Sequence, residues 1–275
     1  MIFKPEIDTV YFGDVMDLLK SLPDDSVDLS ILDPPYNVKA DYWDDIYMYL
    51  QWLQNIINEV VRITRSTGSF YLWGMATKNN DFLRIKLWLD DTISKFYFKN
   101  WIVWVHEVKI HRRPKDRYLN KHEDLLFYAS DNSYFNTVRD LPPDFQLKMH
   151  KGRYDENYFI ERSKLPPSQQ RRFKEGLQLG SPAKSWWKGP SNQSAAKVYK
   201  GFSGYKSEWV SERIINVSCP ENGTILIPFA GSGTECACAL KLGRHFYSAE
   251  NVQKHFDWAT ERLNTVKLKS SAGAR

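Results

Sequence analysis

The chain has little cysteine: three residues in 275, at Cys219, Cys236 and Cys238. Cys236 and Cys238 stand one residue apart in a stretch of helical character, a spacing that suits neither a disulfide nor a zinc pair. Reduced, buried thiols and no metal are expected. Long apolar runs are missing as well. None approaches the roughly 20 residues that a membrane span needs. The segment MIFKPEIDTV lacks the shape of a signal peptide, so a cytoplasmic protein with no membrane partner is expected. No internal repeat is visible. The chain also lacks a GxGxxG run, and no lysine stands in the Walker position after its one glycine-rich turn, which argues against dinucleotide and ATP sites.

What is present is a globular composition. Charged residues make up 26%, close to the usual quarter, so disorder is not the default. Aromatics reach 15%, with ten Trp, which leaves rings for tasks outside the core. The net charge of +5 is unevenly spread. Residues 106–206 hold 20 Lys and Arg against 11 Asp and Glu, a surplus of nine, so the flanks together carry minus four. A basic middle between acidic flanks points to a polyanionic partner, nucleic acid above all.

Apolar and turn patterns alternate along the chain. Short β-prone runs at 10–12, 27–32, 69–73, 100–105 and 125–128 are separated by helical patterns at 47–64 and 81–95, with a turn signal at Ser66-Thr67-Gly68. From about 130 to 206 the sequence turns polar, basic and rich in Pro, Gly, Gln and Ser. The rhythm resumes with helix at 208–217, strand at 224–227, helix at 234–242, strand at 245–249 and helix at 252–263. This pattern predicts an α/β protein, a mostly parallel twisted sheet with helices on both faces. Residues 1–130 and 207–275 form its main domain, and 131–206 form a basic insert.

Two stretches carry chemistry. In TILIPFAGSGTECACALKLGRHFYSAEN, a strand runs into Gly231-Ser232-Gly233, then a helix opening with Thr234, then a strand ending in Glu250. Glycines allow close approach of backbone to a ligand, and an acid at the end of the next strand suits ribose hydroxyls. A nucleoside-containing cofactor is therefore expected there. In SILDPPYNVKADYW, Asp33 ends a buried strand, and Pro34 and Pro35 stiffen the backbone beyond it while removing two donors. The resulting corner presents acceptors only, the Asp33 carboxylate and nearby carbonyls, with Tyr36 as a flat face beside them. Such a corner fits a planar ring bearing an amino group, such as adenine or cytosine.

Asp33-Pro34-Pro35-Tyr36 upstream and Phe229-Ala230-Gly231-Ser232-Gly233 downstream resemble the two motifs of the S-adenosylmethionine-dependent amino methyltransferases of DNA. Their order, with a basic region between, resembles the β subclass of the restriction–modification type, in bacteria, archaea or phages. The resemblance covers about residues 10–130 and 206–263. It implies a Rossmann-like methyltransferase fold, S-adenosylmethionine as cofactor, and the insert as a target recognition domain. Duplex DNA is the implied partner, with room for a homodimer and a separately encoded restriction endonuclease.

The resemblance also implies roles. A base flipped out of the duplex would give one amino hydrogen to Asp33 and the other to the Pro34 carbonyl, with Pro35 rigid behind them and Tyr36 stacked on the ring. Asp at the first motif position favours adenine-N6 over cytosine-N4. The cytosine-N4 and RNA-adenine reactions remain alternatives, as does a non-catalytic nucleic-acid-binding homologue. Phe229, Gly231, Ser232, Gly233, Thr234, Glu250 and Asn251 would hold the cofactor. Asp14 would lie near its adenine, or else cap a helix, and Lys206 would lie near its methionine end. Among the cations, Lys109, Arg112, Arg113, Lys115, Arg117, Arg171 and Arg172 would meet DNA, whereas Trp186 and Trp187 either stack on DNA or anchor the insert. Two departures stand out. Phe202, Ser203 and Ser207 replace His and Pro of the related segment, and Ile227 stands where the family's strand ends in Asp, near the cofactor's amino-acid end.

Overall fold

A computed structural model describes residues 5–39, 42–75, 77, 79–105, 122–137, 139–140, 166–167, 181–182, 184–189 and 206–273. The chain divides into two compact units, Met1–Phe135 with Ser185–Arg275, and Asn136–Lys184. The smaller unit contains a two-stranded antiparallel ladder, β6 (Arg139–Asp140) with β7 (Ser181–Pro182).

The larger unit is built on an eight-stranded sheet. Its strands are β1 (Val10–Phe12), β2 (Val27–Leu32), β3 (Thr64–Gly74), β4 (Tyr97–Val105), β5 (His122–Ala129), β8 (Trp186–Lys188), β9 (Thr224–Ile227) and β10 (His245–Glu250). The order across the sheet is β1-β10-β9-β2-β3-β5-β4-β8. All neighbours are parallel except β5, which runs antiparallel to both β3 and β4. Strand β8 claims residues that the sequence places in the insert. Its alternation buries Trp187 under the Arg213 guanidinium and leaves Trp186 exposed.

Successive residues of the central strands feed two different cores, as a sheet covered on both faces requires. Leu29, Ile31, Tyr71, Trp73, Ile225 and Ile227 point to one face. That face is covered by α4 (Glu208–Ser218), α5 (Thr234–Lys241) and α6 (Gln253–Gly273). Leu32, Phe70, Leu72 and Leu226 point to the other. It is covered by α1 (Val15–Ser21), α2 (Tyr49–Ile63) and α3 (Asp81–Thr92). The α2 pattern is the clearest: Leu53, Ile56, Ile57, Val60 and Ile63 fall on one buried stripe.

One turn expectation fails. Ser66-Thr67-Gly68 lies inside β3, where Val27 pairs with Thr64 and Leu29 already with Ser69. The extra residues bulge from the ladder with Ser66 and Thr67 exposed. Turn-prone composition here marks a bulge. Among the described residues, no helix is long and apolar enough to cross a membrane, and no cluster of three or more His, Cys, Asp or Glu is placed to hold a metal.

Candidate active site

In an open α/β sheet the ligand crevice lies beyond the carboxyl ends of the parallel strands. Here β1 delivers Gly13 and Asp14 to that edge, β2 delivers Asp33, β9 delivers Pro228, and β10 delivers Glu250. A cavity of about 580 Å³ opens there, within the roughly 300–1,000 Å³ range of ligand sites. It brings together Asp33-Pro34-Pro35-Tyr36 and Phe229-Ala230-Gly231-Ser232, about 200 residues apart in the chain.

The corner at Asp33 is stiffened from several sides. The Tyr49 hydroxyl donates to the Pro35 carbonyl (2.7 Å). Among the described residues no donor bonds the Pro34 carbonyl. Asp44, 1% exposed, accepts from the backbone N–H groups of Asn37 (2.6 Å) and Val38 (3.0 Å). It thereby holds the adjoining loop, in which Asn37 and Lys39 both adopt positive φ.

Asp33 is not alone. Lys206 Nζ lies 2.9 Å from Asp33 Oδ2 and 2.8 Å from Glu123 Oε2. It also donates to the Tyr36 hydroxyl (3.1 Å), which lies 3.0 Å from Asp33 Oδ1 and 3.1 Å from Glu123 Oε2. One ammonium thus serves two carboxylates and a phenol. Burial alone would push the Lys206 pKa down, but the two carboxylates outweigh it and hold the ammonium charged. Burial pushes the Asp33 carboxyl above its ordinary range despite Lys206, with Glu123 adding to the rise. Burial, then the two neighbouring carboxylates, keep the Tyr36 phenol protonated.

The resemblance expects Lys206 at the cofactor's methionine end, and the sequence expects Tyr36 as a stacking face beside Asp33. The structure engages both with Asp33. It also adds Glu123, to which the sequence motifs assign no role. Strand β5 runs antiparallel, so its first residues, His122 and Glu123, arrive at the same edge as the last residues of its parallel neighbours.

On the other side of the cavity, Glu250 Oε2 accepts from the Gly231 N–H (2.8 Å) and Oε1 from the Val252 N–H (2.9 Å). Burial raises its pKa against these bonds. The Asn251 N–H also bonds the carboxylate, whose four acceptor sites still leave capacity for an incoming hydroxyl. Phe229, Gly231, Ser232, Thr234, Glu250 and Asn251 all line the cavity. Gly233 does not. It is the N-cap of α5 at φ +74°, and a Cβ there would lie 2.9 Å from the Ala259 Cα, so its bare α-carbon admits α6. Asp14 both lines the cavity and caps α1, accepting from the Met16 N–H (2.7 Å).

Ile227 is 1% exposed in the core under α4, α5 and α6. Glu235, in the first turn of α5, lines the cavity instead and is 6% exposed. The expected DNA contacts at Lys109, Arg112, Arg113, Lys115, Arg117, Arg171 and Arg172, and the altered positions Phe202 and Ser203, lie outside the described residues.

Known proteins share this architecture. A family model described as "DNA methylase", for N6 and N4 methyltransferases, matches residues 27–261. The type II methyltransferase M.BglII of Bacillus subtilis is 28% identical over 273 residues, covering 95% of this chain and 70% of that protein. The DNA adenine methyltransferase YhdJ of Escherichia coli (strain K12) is 26% identical over 270 residues, covering 96% and 85%. Among solved structures, PvuII DNA methyltransferase (cytosine-N4-specific) superposes with a TM-score of 0.64 at 13% identity, over 96% of this chain and 93% of that one. The M1.HpyAVI–SAM complex gives 0.56 at 22% identity, over 92% and 98%.

Proposed function

The chain belongs to the DNA methylase family of N6/N4 amino methyltransferases, in the β-class arrangement, and on that premise we propose that it methylates the exocyclic N6 of adenine in double-stranded DNA. The carrying observation is that the acceptor corner of Asp33 and Pro34 and the Gly231–Glu250 turn open into one cavity. A methyl donor and an amine can therefore be held side by side. Asp at position 33 and the likeness to an adenine methyltransferase support adenine.

The cavity suits S-adenosylmethionine on its own terms. Glu250 is fixed by the backbone N–H groups of Gly231, Asn251 and Val252 with acceptor capacity left for a ribose. Asp14, Phe229 and Asn251 line the same cavity. When bound, the cofactor supplies an electrophilic methyl group. The protein then has to position the amine and take its proton. Asp33 and the Pro34 carbonyl accept the two amino hydrogens, which turns the nitrogen lone pair outward. The Asp33 carboxylate, made more basic by burial, takes the proton lost on methylation. Lys206 must loosen its hold on Asp33 for this, and Glu123, the other carboxylate on the same ammonium, gives it an alternative partner. Tyr36 offers its face to the ring.

The test is labelled methyl transfer to duplex DNA, with nucleoside digestion and mass spectrometry of the product. N6-methyladenine is expected in the product, and Asp33→Ala should abolish it. N4-methylcytosine, or full activity in Asp33→Ala, would overturn the assignment or the mechanism respectively.

A further inference from the structure

The carboxylates lining the cavity differ in how they are satisfied. Asp14 caps α1, and Asp44 takes two backbone N–H groups. Asp33 and Glu123 share the Lys206 ammonium, and Glu250 takes the N–H groups of Gly231 and Val252. Glu235 is buried with neither a cation nor a pair of backbone N–H groups from neighbouring residues bonded to it among the described residues. Its Oε1 accepts a hydroxyl from Ser211 on α4 (3.2 Å), and its remaining hydrogen bond is with its own backbone. Among the described residues no cation pairs with it. A carboxylate 6% exposed with only neutral partners is costly to keep charged. Burial, then the Asp33 charge, push its pKa up to about 6, and the Lys206 charge offsets this only in part.

The position of Glu235 is informative. It stands in the first turn of α5, on the sheet face that also holds Ile227, and it feels the charges of Asp33 and Lys206. Its partner Ser211 stands one helical turn beyond Ser207, and the ammonium of the adjoining Lys206 rests on Asp33, so Glu235 lines the cavity on the side of the catalytic corner. Strand β9 offers no carboxylate to that side, because Ile227 points into the apolar core. A ligand whose reactive centre lies at Asp33 and whose nucleoside lies at Glu250 must put its amino-acid end near this region. That end carries an ammonium.

We propose that Glu235 binds the α-ammonium of the methyl donor, supplying from helix α5 the carboxylate that Ile227 does not supply from strand β9. The inference rests on the methyltransferase reading. It makes Glu235 a binding residue that also fixes the direction of the donor in the cavity.

The experiment is calorimetric titration of the full chain with two ligands: S-adenosylhomocysteine, and its analogue in which hydrogen replaces the α-amino group. Wild-type protein should bind the analogue about 10- to 100-fold more weakly, the range for a hydrogen bond between charged groups. In Glu235→Gln, affinity for S-adenosylhomocysteine should fall by a similar factor while affinity for the analogue stays unchanged. Equal binding of both ligands by wild-type protein would overturn the inference without the variant being needed. Equal losses for both ligands in Glu235→Gln would also overturn it, assigning the side chain to packing. Wild-type protein that binds neither ligand would overturn the methyltransferase reading itself, and the inference with it.

Discussion

Replacing Glu235 by glutamine is expected to stabilise the ligand-free protein at neutral pH and to leave it unchanged in acid. The side chain is 6% exposed, and its carboxyl is raised from an ordinary 4.5 to about 6, chiefly by burial. A carboxyl with a raised folded-state pKa binds its proton more tightly in the folded than in the unfolded chain. Stability is therefore highest below pH 4.5, falls as the pH rises from about 4.5 to about 6, and is constant above that. A rise from 4.5 to about 6 amounts to about 2 kcal/mol lost above pH 6. Glutamine has the shape of the protonated acid and can keep the contact with the Ser211 hydroxyl. Thermal melts of both proteins between pH 4 and 8 should show the variant about 4–8 °C higher at pH 7.5, with the gap closing towards pH 4. Identical melting at pH 7.5, or a gap that widens on acidification, would refute the claim that Glu235 is held charged without a cation.

Other perturbations test the remaining contacts of the site and the core. Lys206→Met removes the buried ammonium that Asp33 and Glu123 share, which should cost about 3 kcal/mol in chemical denaturation. Adding Glu123→Gln should recover part of it, and a double variant no more stable than the single would count against the shared-cation account. Gly233→Ala forces a side chain into φ +74° and to 2.9 Å from the Ala259 Cα, so about 1–3 kcal/mol of stability should be lost; an unchanged melting temperature would contradict the close packing of α6. The thiols of Cys219 and Cys236 are pushed up to about 12 and that of Cys238 is also raised, all chiefly by burial. Iodoacetamide at pH 8 should leave all three unmodified in the native protein and label them in denaturant, as read by mass spectrometry.

The parts of this molecule that the sequence reveals are those with local causes. Strands β1, β2 and β9 and helices α2 and α4 arise from apolar periodicity, within two residues at their ends. The acceptor corner is legible because proline removes donors wherever it stands. Harder to see are features that depend on pairing at a distance. The direction of β5 is set by neighbours on both sides, and without it the arrival of Glu123 at the cavity edge has no signal. Lys206 sits 170 residues from Tyr36, and no local pattern announces that its ammonium will rest on Asp33. Glu235 reads as an ordinary first-turn acid of a helix, and only burial against the cavity distinguishes it. Ser66-Thr67-Gly68 misleads because a bulge and a turn favour the same residues.

The strand order has a consequence for synthesis. Strand β2 is complete at residue 32, but its neighbour β9 ends only at residue 227, and β1 pairs only with β10. At about 5–20 residues per second, the ribosome needs roughly 10–40 s to bridge β2 and β9. Throughout that interval the flank of β2 carries unpaired N–H and C=O groups, an open template for another nascent chain. The acceptor corner at Asp33 thus emerges long before the glycine turn after β9 and waits for it. The pocket is enclosed only when β9 slots between β10 and β2, so its assembly is a late, long-range step, the kind that folds slowly and benefits from chaperone cover.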